Sequence, residues 1–158
     1  MKKTKILFVC LGNICRSPAA QTIMQQLVDE KGLQDKYEID SAGTIGFHSG
    51  APADGRMRTH AAKRGYTITH LSRQFKPKYD FDHFDLIIGM DNNNIQTLRN
   101  LTSESHHLEK IKKMTSYNKT FKETEIPDPY YGGYEGFEYV LDLLEDACKG
   151  LLTELEEL

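Results

Sequence analysis

The amino-acid sequence predicts an α/β fold, built on a doubly wound, four-stranded parallel sheet that is flanked by helices. Two kinds of segment support this: short continuous apolar runs, typical of strands buried on both faces, and longer segments with helical spacing of apolar residues. They alternate along the chain, which is typical of parallel sheets with right-handed crossovers. The 158 residues contain no internal repeat and no convincing linker, so we expect one domain over residues 1–158.

The N-terminal segment shows the pattern most directly. Residues 6–9 form a continuous apolar run, and Ser17 followed by Pro18 is typical of an N-cap and a first helical residue. An apolar stripe with helical spacing then extends over residues 20–28, and Gly32 ends it. The same patterns predict the remaining elements: strands at residues 37–41, 84–88 and 108–114, and helices at residues 56–64, 92–101 and from 136 to the C-terminus.

The loop over residues 10–17 is where this fold places its chemistry, because doubly wound sheets bind ligands beyond the carboxyl ends of their strands. Cys10 ends the first strand, and Arg16 precedes the helix. Backbone N–H groups and the helix dipole can hold an anion there, and Gly12 and Asn13 tolerate the left-handed backbone that such a cradle requires. The guanidinium of Arg16 suits phosphate, and the positive field favours the thiolate of Cys10. The loop therefore predicts a phosphate-binding site with a nucleophilic cysteine.

Residues 9–18, Val-Cys-Leu-Gly-Asn-Ile-Cys-Arg-Ser-Pro, resemble the signature of the low-molecular-weight protein tyrosine phosphatases. The Cys-x5-Arg spacing alone is weak, but here it lies between a buried strand and a helix start. The resemblance implies the same fold, no cofactor, and hydrolysis of phosphotyrosine in protein substrates. It continues over nearly the whole chain with Asp40-Ser41-Ala42-Gly43, His70, Met90-Asp91 and Asp128-Pro129-Tyr130-Tyr131.

The resemblance implies catalytic roles for Cys10, Arg16 and Asp128. Cys10 is implied as the nucleophile that carries a cysteinyl-phosphate, and Arg16 as the residue that binds the phosphate. Asp128 is implied as the general acid, which protonates the departing phenolate and then deprotonates the attacking water. Without the resemblance, an aspartate between two prolines indicates turn chemistry only.

Further residues are implied as contacts of the substrate or as support for the loop. Asn13, Ser41 and His70 are implied to hydrogen-bond one another, and Ser17 to stabilise the sulfur of the nucleophile as a leaving group. Cys15 either fills space or, under oxidation, bonds to the nucleophile. The implied substrate contacts are Leu11, Gly12, Asn13, Ile14, Cys15 and Ser17 in the loop, and Phe47, His48, Tyr130 and Tyr131 on the walls of the cleft.

Three alternative functions compete with this one. The closest is a phosphatase of the same scaffold that acts on phosphoarginine; such relatives tend to carry Thr at the position of Ile14, whereas the tyrosine-directed ones carry Ile. An arsenate reductase needs further redox cysteines in a loop well past residue 70, where none occurs before Cys148. The third is a non-catalytic phosphotyrosine-binding module, and the intact Cys10, Arg16 and Asp128 argue against it.

Composition argues against several other classes of protein. The net charge of −3 gives no indication of a nucleic-acid or membrane partner. Three cysteines without regular spacing argue against a disulfide framework and for a reducing compartment, and Cys148 falls on an apolar helical stripe as a core residue. No stretch reaches the ~20 apolar residues of a membrane span, and residues 6–11 are short for a signal peptide. We therefore expect a cytoplasmic monomer, with leaderless export as the alternative.

Metal and nucleotide chemistry are not indicated by the spacing of residues along the chain. His60, His83, His106 and His107 do not pair with cysteines or carboxylates at metal-ligand spacing, so no metal is predicted. The sequence contains no Gly-x-x-x-x-Gly-Lys loop, so nucleotide hydrolysis is not predicted either.

Overall fold

A computed structural model of the chain describes residues 2–130 and 132–158. Four parallel strands form one sheet in the order β2-β1-β3-β4. Their bounds are β1 Thr4–Cys10, β2 Tyr37–Gly43, β3 Leu86–Gly89 and β4 Ile111–Lys113. Because the chain leaves β1 toward one neighbour and later crosses to the other, the predicted doubly wound parallel sheet is confirmed.

Helices connect the strands and cover both faces of the sheet. Their bounds are α1 Arg16–Glu30, α2 Gly55–Lys63, α3 Pro77–His83, α4 Asn92–Asn100, α5 Ser105–Leu108 and α6 Tyr134–Glu156, with a 3₁₀ turn at Met114–Tyr117. The sequence missed α3, α5 and the 3₁₀ turn, because seven or fewer residues carry too little apolar periodicity to be recognised.

The alternation of side chains along β1 divides the core into two layers. Ile6 and Phe8 face the layer formed with α1 and α6, whereas Leu7 and Val9 face the layer that includes α3 and α4. All four side chains are fully buried. Cys148, on α6, is fully buried in the first layer, which confirms its assignment to the core.

Several predicted boundaries are wrong by a few residues. The second strand runs to Gly43 because it stays paired with β1 as far as Cys10, and the fourth strand is only three residues long. Ser17 is not the N-cap of the first helix. The helix begins at Arg16, with Cys15 in the capping position, and the Ser17 hydroxyl is bonded to Cys10 instead. The tight loop continues directly into the helix and thereby moves its start two residues earlier than the Ser-Pro pair indicates.

Within the described ranges, none of the helices is both long and apolar enough to cross a membrane. The three cysteines are free and buried.

Candidate active site

The loop between β1 and α1 forms the floor of a cavity of about 250 Å³ at the carboxyl ends of the strands. Cys10 lies at this end of β1, paired in register with Gly43 of β2. The cavity brings together side chains from the loop and from two later segments of the chain. Its lining residues are Cys10, Leu11, Gly12, Ile14, Cys15, Arg16, Ile45, Phe47, His48, Asp128 and Tyr130.

Backbone carbonyls of the loop are hydrogen-bonded to segments that surround it. The carbonyl of Cys10 accepts from the N–H of Thr44 at 2.9 Å, that of Leu11 from Ile45 at 3.0 Å, and that of Ile14 from Asp54 at 2.8 Å. The carbonyl of Gly12 accepts from the Ser72 hydroxyl at 2.9 Å. In a trans peptide the N–H points opposite to the carbonyl, so carbonyls bonded outward leave the loop N–H groups directed toward the cavity. This is the arrangement of an anion-binding nest.

Two backbone positions allow the loop to close so tightly. Asn13 has a φ of 56°, in the left-handed region that asparagine tolerates better than most residues. Gly43 lies so close beneath the loop that a Cβ there would be 2.8 Å from the carbonyl oxygen of Leu11 and 3.0 Å from the carbonyl carbon of Gly12. Since both neighbours are backbone atoms, β2 needs glycine at this position for the loop to approach it.

The Asn13 side chain holds this backbone conformation through a buried hydrogen-bond network. Its amide nitrogen donates to Ser17 at 2.8 Å and to Ser41 at 3.0 Å. Its carbonyl oxygen accepts from the backbone N–H of Arg73 at 3.0 Å and lies 2.8 Å from His70 Nε2. Because that oxygen only accepts, His70 must carry its proton on Nε2. Desolvation by burial lowers the pKa of His70. The negative charge of Asp40 opposes this shift, and the positive charge of Arg73 adds to it. The net lowering of the pKa favours the neutral ring.

Asn13 and Ser17, two of the predicted substrate contacts, are not among the residues that line the cavity, and their side chains are buried beside the loop. Ser17 Oγ lies 2.9 Å from Cys10 Sγ. At this distance the hydroxyl can donate to a thiolate, whose charge it would stabilise. The network thus connects the backbone conformation of the loop to the sulfur atom through Asn13 and Ser17.

Arg16 is almost fully buried, and its guanidinium is held in place by groups from distant segments. Nη1 lies 2.6 Å from Asp91 Oδ2 and donates to the backbone carbonyl of Ile126 at 3.0 Å. Nη2 lies 3.5 Å from Asp128 Oδ2. Burial alone would lower the pKa of Arg16, but the negative charges on Cys10 and Asp91 raise it overall. Arg16 is therefore a fixed positive charge beside the sulfur.

Asp128 and Tyr130 form one wall of the cavity. Asp128 is 41% exposed, and its Oδ1 accepts a hydrogen bond from the backbone N–H of Tyr130 at 3.0 Å. His48 faces Tyr130 from the opposite rim with ring centroids 6.4 Å apart, and Phe47 contacts His48 edge-on at 4.9 Å. Tyr131, also expected in this wall, lies outside the residues that the structure describes.

Asp91 and Ile45 have clear places at the site that sequence reasoning missed. Asp91 is part of the family resemblance, but the resemblance implies no role for it, and nothing in its local sequence distinguishes it from an ordinary helix N-cap. Ile45 lines the cavity because its N–H bonds to the loop carbonyl of Leu11. It lies two residues beyond Gly43, in a segment without a recognisable motif.

Cys15 differs chemically from Cys10 although both line the cavity. Burial raises the pKa of Cys15 well above its usual range, and the negative charge of Asp54 adds to the shift. Its sulfur is therefore a protonated thiol at neutral pH.

Comparisons with known proteins agree with this geometry. The family model described as low molecular weight phosphotyrosine protein phosphatase matches residues 5–158. A Synechocystis relative assigned by name to the low molecular weight protein-tyrosine-phosphatases is 50% identical over 153 residues, with 96% of each chain covered. The crystal structure of a protein tyrosine phosphatase from Entamoeba histolytica matches with a TM-score of 0.94 at 48% identity, covering 98% of both chains.

A Drosophila arginine phosphatase has the same fold as well. Its crystal structure matches with a TM-score of 0.88 at 32% identity, covering 96% of this chain and 98% of the other. The fold therefore occurs in solved proteins named for two kinds of phosphorylated side chain. The family match over nearly the whole length and the 50% identical relative give the conclusion: this chain belongs to the low molecular weight phosphotyrosine protein phosphatase family.

Proposed function

We propose that the chain hydrolyses phosphotyrosine in proteins through a cysteinyl-phosphate intermediate on Cys10. One observation carries the proposal: Cys10, Arg16 and Asp128 line the same cavity, in which the guanidinium of Arg16 and the carboxyl group of Asp128 lie 3.5 Å apart. These are the parts that phosphoryl transfer to a thiolate requires, namely an activated nucleophile, stabilisation of the phosphoryl oxygens and a proton donor.

In the first step, the Cys10 thiolate attacks phosphorus in line with the aryl oxygen. The S–P bond forms as the P–O bond to the aromatic ring breaks, and the Asp128 carboxyl group gives its proton to the departing phenolate. The loop N–H groups and Arg16 bind the phosphoryl oxygens during this transfer, and electrostatic stabilisation of this kind dominates the catalysis of phosphoryl transfer.

In the second step, water attacks the cysteinyl-phosphate while the Asp128 carboxylate takes one of its protons. The S–P bond breaks, inorganic phosphate forms, and the electron pair returns to Cys10 as a thiolate. Ser17 Oγ, 2.9 Å from that sulfur, donates a hydrogen bond to the negative charge as it develops. Both steps use the same carboxyl group, first as acid and then as base, so the enzyme returns to its starting protonation state.

The walls of the cavity support an aromatic substrate. Ile14 adds a hydrocarbon surface near the reacting sulfur, and the rings of His48 and Tyr130 face each other across the opening. A phenyl ring can pack between such walls, whereas a guanidinium group would lose hydration without gaining a partner from the Ile14 side chain. Phosphoarginine is the second candidate substrate, because the Drosophila neighbour is named as an arginine phosphatase.

The proposal is tested by hydrolysis of p-nitrophenyl phosphate in the presence of a chelator. We expect turnover by the parent protein and none by Cys10→Ser, which should still bind vanadate because the N–H groups and Arg16 remain. Cys148→Ala is the matched control, since Cys148 lies in the core and its loss should leave turnover in place. Appreciable hydrolysis by Cys10→Ser would refute the assignment of Cys10 as the nucleophile. A parent protein that binds phosphotyrosine peptides without turnover would support a binding module instead.

A further inference from the structure

A second cluster of chemically reactive side chains lies at the end of the sheet opposite to Cys10. Asp82 on α3 and the adjacent His106 and His107 on α5 each direct one potential metal-ligating atom to a common point, with all three atoms within 4.8 Å of one another. His107 Nε2 lies 2.7 Å from Asp82 Oδ1, and His106 Nε2 lies 3.9 Å from the same oxygen. The sequence spacing of these histidines did not predict a metal site, because the carboxylate of Asp82 comes from a different helix.

His107 is the fixed member of this cluster. Its side chain is 8% exposed, and its ring stacks on Phe81 with centroids 4.9 Å apart and an interplanar angle of 13°. Its second ring nitrogen, Nδ1, lies 2.8 Å from Thr102 Oγ1 and 3.2 Å from the Glu104 carboxylate. Metal-ligating histidines are typically oriented in this way, with one ring nitrogen bonded to an oxygen of the protein and the other directed to the metal.

The ring nitrogens of His107 both face carboxylate oxygens, from Glu104 on one side and Asp82 on the other. A neutral imidazole has one N–H and one lone pair. Nε2–H can donate to Asp82 while Nδ1 accepts from the Thr102 hydroxyl, or Nδ1–H can donate to Glu104 and leave the lone pair of Nε2 directed at Asp82 Oδ1. In the second tautomer the ring is positioned to ligate a cation held between Nε2 and the Asp82 carboxylate.

We propose that Asp82, His106 and His107 bind a divalent transition metal ion, with Zn²⁺ as the best match. Two imidazole nitrogens and one carboxylate oxygen form a donor set typical of zinc, which leaves a fourth position for water. In a tetrahedral site with these ligands, neighbouring donor atoms lie about 3.3 Å apart. The distances of 2.7 and 3.9 Å lie on either side of this value. Asp82 and His106 are 70% and 61% exposed, so small rotations of their side chains close the site around His107.

The metal would connect two short helices, α3 and α5. α3 ends just before β3, and α5, which has four residues, ends just before the three-residue β4. The site therefore lies at the amino ends of these strands, whereas Cys10 lies at the carboxyl end of β1. The ion would be structural in the sense that it ties α5 to α3, at the end of the sheet opposite to Cys10.

Isothermal titration with Zn²⁺ tests the proposal, with the Cys10→Ser protein as the background so that the reactive thiolate does not compete for the metal. We expect one Zn²⁺ per chain. Adding His106→Ala or Asp82→Asn should weaken binding by at least about tenfold, since even the loss of an outer partner of a ligand costs about 10- to 100-fold. The matched control is His83→Ala: His83 is next to Asp82 in sequence but is bonded to Glu38.

A second measurement separates a structural ion from loose surface binding. Amide hydrogen exchange over residues 105–113 should slow on addition of Zn²⁺ in the Cys10→Ser protein, and should not slow in its His106→Ala derivative. The proposal is overturned if saturable binding is absent below about 100 μM Zn²⁺, which corresponds to weak affinity. It is equally overturned if His106→Ala and Asp82→Asn both bind Zn²⁺ as tightly as the control.

Discussion

Asp91 holds Arg16 with one carboxylate oxygen and caps a helix with the other. Its Oδ2 lies 2.6 Å from Arg16 Nη1, while its Oδ1 accepts the backbone N–H of Asn94 at 2.8 Å in the capping box of α4. The direction of the Arg16 guanidinium is thus set by the N-terminus of a helix that follows β3. Because β3 is the immediate neighbour of β1, the two residues meet although 75 positions separate them.

Asp91→Asn should separate these two roles. Asparagine is a good N-cap, so α4 should remain capped, but the charged contact to Arg16 is lost. We expect kcat/KM for p-nitrophenyl phosphate to fall by about 10- to 100-fold, because a misplaced binding group costs rate even far from the chemistry. The Tm should stay close to that of the parent, whereas Asp91→Ala should lower both quantities. Unchanged kcat/KM and phosphate affinity in Asp91→Asn would show that Asp91 only caps the helix.

Asp128→Asn should slow hydrolysis in a way that depends on the leaving group. Asparagine keeps an oxygen that can accept from the N–H of Tyr130, so the wall of the cavity should persist. We expect p-nitrophenyl phosphate turnover to fall by roughly 10²-fold or more, and to fall less for aryl esters with better leaving groups, which need less protonation. The measurement is kcat across a series of aryl phosphates. An equal loss over leaving groups of widely different pKa would rule out Asp128 as the proton donor.

Peroxide should inactivate the enzyme reversibly through a Cys10–Cys15 disulfide. Peroxide should oxidise Cys10, the proposed nucleophile, in preference to Cys15, because burial raises the pKa of Cys15 and keeps its thiol protonated. Cys15 lines the same cavity, so its thiol can condense with the sulfenic acid of Cys10 to form the disulfide and release water. Peptide mapping after peroxide should show the disulfide, and a thiol reductant should restore activity. Cys15→Ser should recover incompletely because its nucleophile is over-oxidised, whereas Cys148→Ser is the control that should behave as the parent. Full recovery of activity by Cys15→Ser after treatment with the thiol reductant would contradict the proposed protection of Cys10 by Cys15.

Ile14 should decide the choice between phosphotyrosine and phosphoarginine. Its side chain lines the cavity with hydrocarbon only, so a guanidinium group there loses hydration at a cost of a few kcal/mol. We expect the parent to prefer phosphotyrosine peptides strongly, and Ile14→Thr to narrow the preference mainly by gaining phosphoarginine activity. The measurement is kcat/KM for both substrates in both proteins, with Ile14→Val as the control that changes volume without adding a hydroxyl. A parent that prefers phosphoarginine would overturn the tyrosine assignment and leave the roles of Cys10 and Asp128 intact.

Features that depend on neighbouring residues could be predicted from the sequence. The buried strand at residues 6–9, the loop from Cys10 to Arg16 and the long C-terminal helix each carry their signal within a short window, because apolar periodicity and turn chemistry act locally. The same reasoning misplaced Ser17 as an N-cap. Its local pattern fits that role, but the sulfur of Cys10 and the amide of Asn13 compete for the hydroxyl in the folded chain.

The sequence by itself therefore determined the alternation of the four strands with the longer helices, and the loop from Cys10 to Arg16 that follows the first strand. Only the tertiary structure decided which distant groups complete that site, since the order of the strands brings Asp91 beside Arg16 and places Ile45 in the cavity wall. It also brought Asp82 to His107, 25 residues apart on two different helices. The type of each side chain and its place in a strand or helix depend on neighbouring residues, so a short stretch of sequence predicts them. Contacts between charged residues that are distant in sequence depend on how the crossover connections arrange the strands, and no short stretch of sequence contains that information.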